Sequence, residues 1–232
     1  MASTLKNPDL IIAGGRRPLE RLYFITMDGA ITKDGAPMSH IKQVEEACQA
    51  GIRWVQLRMK QASDVVFRET ALAAKAICDT RDCVLIINDR VDLAAAIGAA
   101  GVHLGQEDIP VRKARQVLGE GKIIGGTANT LEDIRAHYLG GADYVGLGPF
   151  RYTATKEKLS PILGLEGCRR IIGGLEEEGI SVPVIGIGGI GLNDVFPLLE
   201  AGLYGVAFSG MLVQAEDRPG LVRALEAEVR RV

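Results

Sequence analysis

Four dipeptides set the strongest limit on how this chain can fold. Ala50-Gly51, Ala100-Gly101, Gly141-Ala142 and Ala201-Gly202 each close a helix-like stretch and lead straight into an apolar run. Such abrupt helix-to-strand turns recur in closely wound parallel sheets, where each strand is followed by a helix that returns to the same end. The runs alternate accordingly. Strands are predicted at 22–26, 52–57, 84–87, 101–104, 122–125, 144–147, 182–187 and 205–208, with helices between them. Ser39 is placed to cap a helix that stops at Gly51, and Ser63 one that runs to Asp79 with Val65, Ala71, Ala74 and Ile77 as buried positions. Pro110 suits the first turn of the next helix. Eight strand–helix units in 232 residues spell a (β/α)₈ TIM barrel. An open doubly wound sheet is the runner-up, disfavoured because no GxGxxG follows the first strand. The predicted division is an N-terminal extension at 1–20 and one barrel domain at 21–232.

Charge and composition exclude several functions. A formal net charge of -2 argues against a general binder of nucleic acid or anionic membrane, though local basic clusters are allowed. No apolar run is long enough to span a bilayer, and Leu10 to Ala13 is too short for a secretory signal core. A cytoplasmic location is expected, and homo-oligomerisation is left open. Cys48, Cys78, Cys83 and Cys168 show no CxxC spacing and are expected to be reduced packing residues. His40, His103 and His137 are too scattered to predict a ligand set, and Trp54 is expected in the barrel wall.

Polar residues gather where each predicted strand ends. These are Gln56, Arg58 and Lys60, then Asn88 and Asp89, Gln106 and Asp108, Thr127 and Asn129. The opposite turns are mostly Ala and Gly. Chemistry in such barrels sits at the C-terminal ends of the strands, so the asymmetry marks an active rim. Gln56, Arg58 and Lys60 are two residues apart and point the same way along an extended chain, whereas Met59 points outward. Asp89 and Asp108 end neighbouring strands. Paired carboxylates either share a proton or hold a hard cation, and Mg²⁺ bridging to a diphosphate suits the cations across the rim. The alternative for Asp89 is a helix N-terminal carboxylate or a partner for Arg90.

After the sixth strand comes a loop of about sixteen residues, against roughly 2–6 for an ordinary strand-to-helix connection. It carries Thr153, Ala154, Thr155 and Lys156, flanked by Arg151 and Lys158, donors suited to a phosphate or diphosphate. Its length makes it a candidate lid. Gly186 to Ile190 and Phe208-Ser209-Gly210, after the last two strands, offer a second seat for a phosphate monoester through exposed backbone N–H groups.

QLRMK at 56–60, INDRVDLA from Ile87, GVHLGQED at 101–108, GPFRYTATK at 148–156, LGLEG at 163–167 and GIGGI at 186–190 resemble the thiamine-phosphate synthase family, from about Leu22 to Leu212. The resemblance implies condensation of a pyrimidine diphosphate with a thiazole phosphate, releasing diphosphate. It implies that Gln56, Arg58, Lys60, Asn88, Thr127 and Lys156 line the pyrimidine diphosphate, that Met59 and Ala154 also bind substrate, and that Asp89 and Asp108 hold Mg²⁺. Thr153, Thr155, Gly189, Phe208 and Ser209 would meet the thiazole phosphate. Arg58, Lys60 and Lys156 are the implied catalytic residues. Met59, Thr127 and Asn129 depart from the family's commoner residues. Two relatives in function are a thiazole tautomerase-like isomerase, which lacks TxTK and the aspartate pair, and a non-catalytic thiamine-phosphate sensor.

Overall fold

In the computed structural model, which describes residues 19–152 and 161–232, strands and helices alternate in the order the turns require. The strands are β1 (Leu22–Ile25), β2 (Trp54–Leu57), β3 (Val84–Asn88), β4 (Gly101–Leu104), β5 (Ile123–Ala128), β6 (Tyr144–Leu147), β7 (Val184–Gly186) and β8 (Gly205–Phe208). Between and after them lie α1 (His40–Ala50), α2 (Asp64–Thr80), α3 (Val91–Ile97), α4 (Val111–Leu118), α5 (Leu131–Leu139), α6 (Gly164–Glu177), α7 (Val195–Glu200), α8 (Gly210–Val213) and α9 (Arg218–Val229). Neighbouring strands pair in parallel and β8 returns to β1, closing the barrel. Among the described residues, no helix is long and apolar enough to cross a membrane.

The local signals act as expected at most helix ends. Ser39 and Ser63 accept from the backbone N–H groups of Lys42 and Val66, and Gly51 ends α1 at a φ of 112°. Thr130 and Asp133 form a reciprocal capping box on α5. Three readings need correction. Pro110 is the residue before α4 and not its first residue. Val65 is 67% exposed, because Phe67, Ala71, Ala74 and Cys78 form the buried stripe of α2. Leu19, assigned to the extension, is buried with Tyr23 and Trp54 at the N-terminal end of the barrel, and its carbonyl accepts from the Tyr204 hydroxyl.

Period-two alternation divides the apolar residues into two layers. Val55, Leu57, Val102, Leu104, Val145, Leu147 and Val206 face the surrounding helices in the larger core. Tyr23, Trp54, Ile86, Ile123, Tyr144, Ile185 and Ala207 fill the barrel. Tyr23 stacks on Trp54 with centroids 3.7 Å apart, and Tyr144 meets Trp54 edge-on at 4.8 Å. Gly125 leaves the room Tyr144 needs, since a Cβ there would lie 2.1 Å from the ring's Cζ. This aromatic plug closes the lower barrel and sets the polar residues above it at the strand ends.

Candidate active site

Above the plug, the same inward parity brings Gln56, Asn88, His103 and Thr127 into the barrel, all of them buried. Gln56, His103 and Thr127 join a single hydrogen-bonded chain. Gln56 Nε2 donates to the Tyr23 hydroxyl at 2.8 Å, which lies 2.9 Å from the Tyr144 hydroxyl. Tyr144 lies 2.9 Å from His103 Nδ1, and His103 Nε2 lies 2.9 Å from Thr127 Oγ1. Burial first of all pushes both tyrosines above their ordinary range, so their hydroxyls keep their protons. The donor order then runs one way. With Gln56 donating to Tyr23, the order that gives every hydroxyl proton an acceptor has Tyr23 donating to Tyr144, Tyr144 to His103 Nδ1, and His103 Nε2–H to Thr127, whose own proton is then turned elsewhere.

The rim begins where β2 ends. The Thr26 hydroxyl, fully buried, accepts from the Arg58 backbone N–H at 2.9 Å and donates to the Arg58 carbonyl at 3.2 Å. Asp28 Oδ2 accepts from the Lys60 backbone N–H at 2.9 Å. His40 bridges the same two anchors, 3.0 Å from Thr26 Oγ1 and 3.1 Å from Asp28 Oδ1. The run Arg58-Met59-Lys60 is therefore held by side chains of the β1–α1 loop and the start of α1. Met59 turns away and is buried in the barrel–helix core, so only its backbone is presented to the mouth.

β3 ends at Asn88, and Asp89 takes a left-handed φ of 63°, an uncommon conformation for a residue with a Cβ and one found at functional sites. Its N–H donates to the His103 carbonyl at 2.9 Å, which ties the turn to β4. The carboxylate pairs with Lys60 Nζ and shares a hydrogen bond with Asp108. Arg90 pairs with Asp64 and not with Asp89, and no side chain caps the start of α3. Burial works to raise the pKa of Asp89, but the hydrogen bond from Asp108 and the Lys60 ammonium outweigh it and hold Asp89 below the usual carboxylate range. Burial, followed by the Asp89 carboxylate, pushes Asp108 up to about 6. Asp108 also accepts the Gly105 N–H at 2.6 Å. Two convergent carboxylates offering only oxygens suit a hard divalent cation.

On the far side of the mouth, Gly188 and Gly189 follow β7 with φ of 90° and 70°. A Cβ on Gly188 would approach Pro149 to 2.9 Å, and one on Gly189 would approach Arg151 Cβ to 2.9 Å. The start of the β6–α6 loop is laid over this turn, with Phe150 and Arg151 N–H groups donating to Ile187 and Gly188 carbonyls at 2.9 Å each. Arg151 is further fixed by a two-point pair with Asp194. Ser209 follows β8, and its carbonyl accepts the Leu212 N–H at 3.1 Å. The Phe208 side chain faces outward into the barrel–helix core near Phe24, again leaving only backbone toward the mouth. Thr153, Ala154, Thr155 and Lys156 lie outside the described residues.

Sequence reasoning missed Tyr23, Thr26, Asp28, His40, His103 and Tyr144. Counting parity back from Gln56 would have placed Trp54 inside, and the same count selects Tyr23, His103 and Tyr144. Nothing in the sequence announced that His40, from a helix, reaches the same loop as Asp28. His40 and His103, given no role from the sequence, serve as hydrogen-bonding links at the mouth. The cysteine expectation also needs amendment: all four are free, but Cys48, Cys78 and Cys83 converge.

The family model for thiamine monophosphate synthase matches residues 22–212, from β1 to α8. The chain belongs to this family. A thiamine-phosphate synthase of Bacteroides fragilis is 46% identical over 187 residues, covering 81% of this chain and 92% of the relative. One from Bacteroides thetaiotaomicron is 48% identical over 171 residues, covering 74% and 82%. Among solved structures, a thiamine phosphate pyrophosphorylase of Pyrococcus furiosus superposes with a TM-score of 0.77 at 30% identity, covering 91% of this chain and 96% of that one. A family member of this kind is an enzyme, a transferase with small-molecule substrates.

Proposed function

We propose that the chain makes thiamine phosphate by joining an aminopyrimidine that carries a diphosphooxymethyl group to a thiazole bearing a phosphoethyl group. In a family member with this mouth, the bond between the methylene carbon and the diphosphate oxygen breaks, and the diphosphate leaves with the electron pair. The pyrimidine amino group stabilises the resulting cation, and the thiazole nitrogen attacks it. The chain supplies no nucleophile. Its work is positioning and leaving-group electrostatics.

The observation that carries this reading is the convergence of Lys60, Asp89 and Asp108 at the rim directly above the buried chain from Gln56 to Thr127. Arg58 and Lys60 face the departing diphosphate, held in place through Thr26 and Asp28. Thr127 is left with a proton to give to a substrate acceptor. Asp89 and Asp108 would hold Mg²⁺, which when bound neutralises charge on a leaving diphosphate. Lys156 would add its charge to the diphosphate site, and Thr153 and Thr155 would meet the thiazole phosphate. Gly189 and Ser209, with the Phe208 backbone, would receive the thiazole phosphate.

The test is to mix the purified chain with both substrates and Mg²⁺ and to follow thiamine phosphate and diphosphate. Equal amounts of both, abolished by EDTA, are expected. Binding of both substrates without turnover would indicate a sensor, and metal-independent isomerisation of a thiazole would indicate the tautomerase.

A further inference from the structure

Three thiols meet at the end of the barrel opposite the mouth. Cys48 lies in the last turn of α1, Cys78 in the last turn of α2, and Cys83 directly before β3. Their sulfurs all lie within 4.8 Å of one another. Cys48 and Cys78 are buried, and Cys83 is 9% exposed. The backbone builds this meeting. The Cys78 carbonyl accepts the N–H groups of Arg81 and Cys83 at 3.1 and 3.0 Å, folding Cys83 back toward Cys78 through a turn in which Asp82 has a φ of 54°. Arg53 Nη1 donates to the Cys48 carbonyl at 3.3 Å. Cys168, buried in α6, belongs to no such group and serves as an internal comparison.

We propose that Cys48, Cys78 and Cys83 form a three-sulfur site for a thiophilic metal ion, with Cu(I) as the ion it fits. With a metal–sulfur bond of about 2.3 Å, the zinc–thiolate value, a planar three-sulfur site has its sulfurs about 4.0 Å apart. The thiols are within 4.8 Å already, so side-chain adjustment of under about 1 Å closes the ring. Thiolates select soft ions such as Cu(I) and Zn(II). A structural Zn(II) site requires four donors, whereas this cluster, among the described residues, holds sulfur ligands and no His, Asp or Glu. A three-coordinate ion is therefore favoured. Binding of one Cu(I) displaces the three S–H protons to solvent and leaves a net charge of -2 on the complex. Arg53, bonded to the Cys48 carbonyl, brings positive charge to offset that of the complex. An ion here would pin α1, α2 and β3 together at the face of the barrel that governs stability.

The test uses the full chain, reduced and stripped of metal, titrated with Cu(I) under anaerobic conditions against a competing chelator. One ion per chain is expected, with a thiolate-to-copper charge-transfer band and a raised Tm. Cys48→Ala, Cys78→Ala and Cys83→Ala should each weaken binding by more than about 100-fold, a ligand counting for at least as much as the outer partners of a metal site. Cys168→Ala should leave it unchanged. Copper X-ray absorption on the unmutated chain should report three sulfur neighbours, which decides the matter even where a variant fails to fold. Nitrogen or oxygen neighbours, binding that survives loss of the three cysteines, or no binding would overturn the site. Zn(II) held as tightly as Cu(I) would overturn the choice of ion.

Discussion

Replacing Tyr144 by Phe removes one oxygen atom from the centre of the barrel. That oxygen lies 2.9 Å from the Tyr23 hydroxyl and 2.9 Å from His103 Nδ1. The ring itself stays packed against Trp54 and above Gly125, so no cavity larger than a hydroxyl opens. Tyr23 keeps its bond from Gln56 but loses the acceptor for its proton, and His103 Nδ1 loses the donor that fixes its tautomer. A buried polar group deprived of its partner costs about 1–3 kcal/mol, so two such losses, partly offset by no longer burying the hydroxyl, come to about 2–4 kcal/mol. At about 2–4 °C per kcal/mol for a chain of this size, Tm should fall by roughly 4–16 °C. Differential scanning calorimetry reads this directly. Nitrogen NMR of the His103 ring supplies a second readout, because the unmutated chain should show a proton on Nε2 and the variant a mixture of tautomers. A Tm within about 2 °C of the unmutated chain, with an unchanged ring spectrum, would refute the one-way donor chain.

Other consequences follow from single contacts. Gly125→Ala places a Cβ 2.1 Å from Tyr144 Cζ, so it should cost at least the roughly 1–3 kcal/mol of core overpacking. In a Tyr144→Ala background that cost should nearly vanish, and equal Tm losses in both backgrounds would contradict the assigned contact. Lys60→Ala should lower kcat by about 100-fold or more, as removal of one transition-state donor does elsewhere. Its Tm should hardly move, because the half-exposed pair with Asp89 contributes at most about 1 kcal/mol; unaltered turnover would remove Lys60 from the site. His40 is held below its ordinary pKa of 6.5, chiefly by burial, with the Asp28 contact opposing. The unfolded chain then binds a proton that the folded chain refuses, so this contribution is complete above pH 6.5 and is lost as pH falls below it. Asp108, raised in the fold, has the opposite sign between its ordinary range and about 6, so the measurement is the difference in stability between the unmutated chain and His40→Gln. A difference that does not change with pH below 6.5 would refute the assignment.

The fold was legible because barrel topology is written in short-range signals. Ser39, Ser63 and Thr130 cap their helices, Gly51 and Gly98 stop theirs, and the Ala-Gly turns give the repeat. The rim was legible for a related reason: a strand that alternates Gln56, Arg58 and Lys60 with Leu57 and Met59 declares which face is wet. Parity also limits what identity alone implied, since it sends the Met59 and Phe208 side chains into the outer core and leaves their backbones at the mouth. What escaped the sequence is whatever depends on meetings between distant segments. Tyr23, Tyr144 and His103 look like ordinary strand residues until the barrel closes, and only then do β1, β4 and β6 join in one hydrogen-bonded chain beneath Thr127. The cysteines make the same point at the other end. Thirty residues separate Cys48 from Cys78 along the chain, yet parallel return of every helix to the same face places their sulfurs together. The same topology that gathers strand ends at the mouth gathers helix ends beneath it, so the Tyr23–Tyr144–His103 chain and the three cysteines are both meetings that no local motif could have announced.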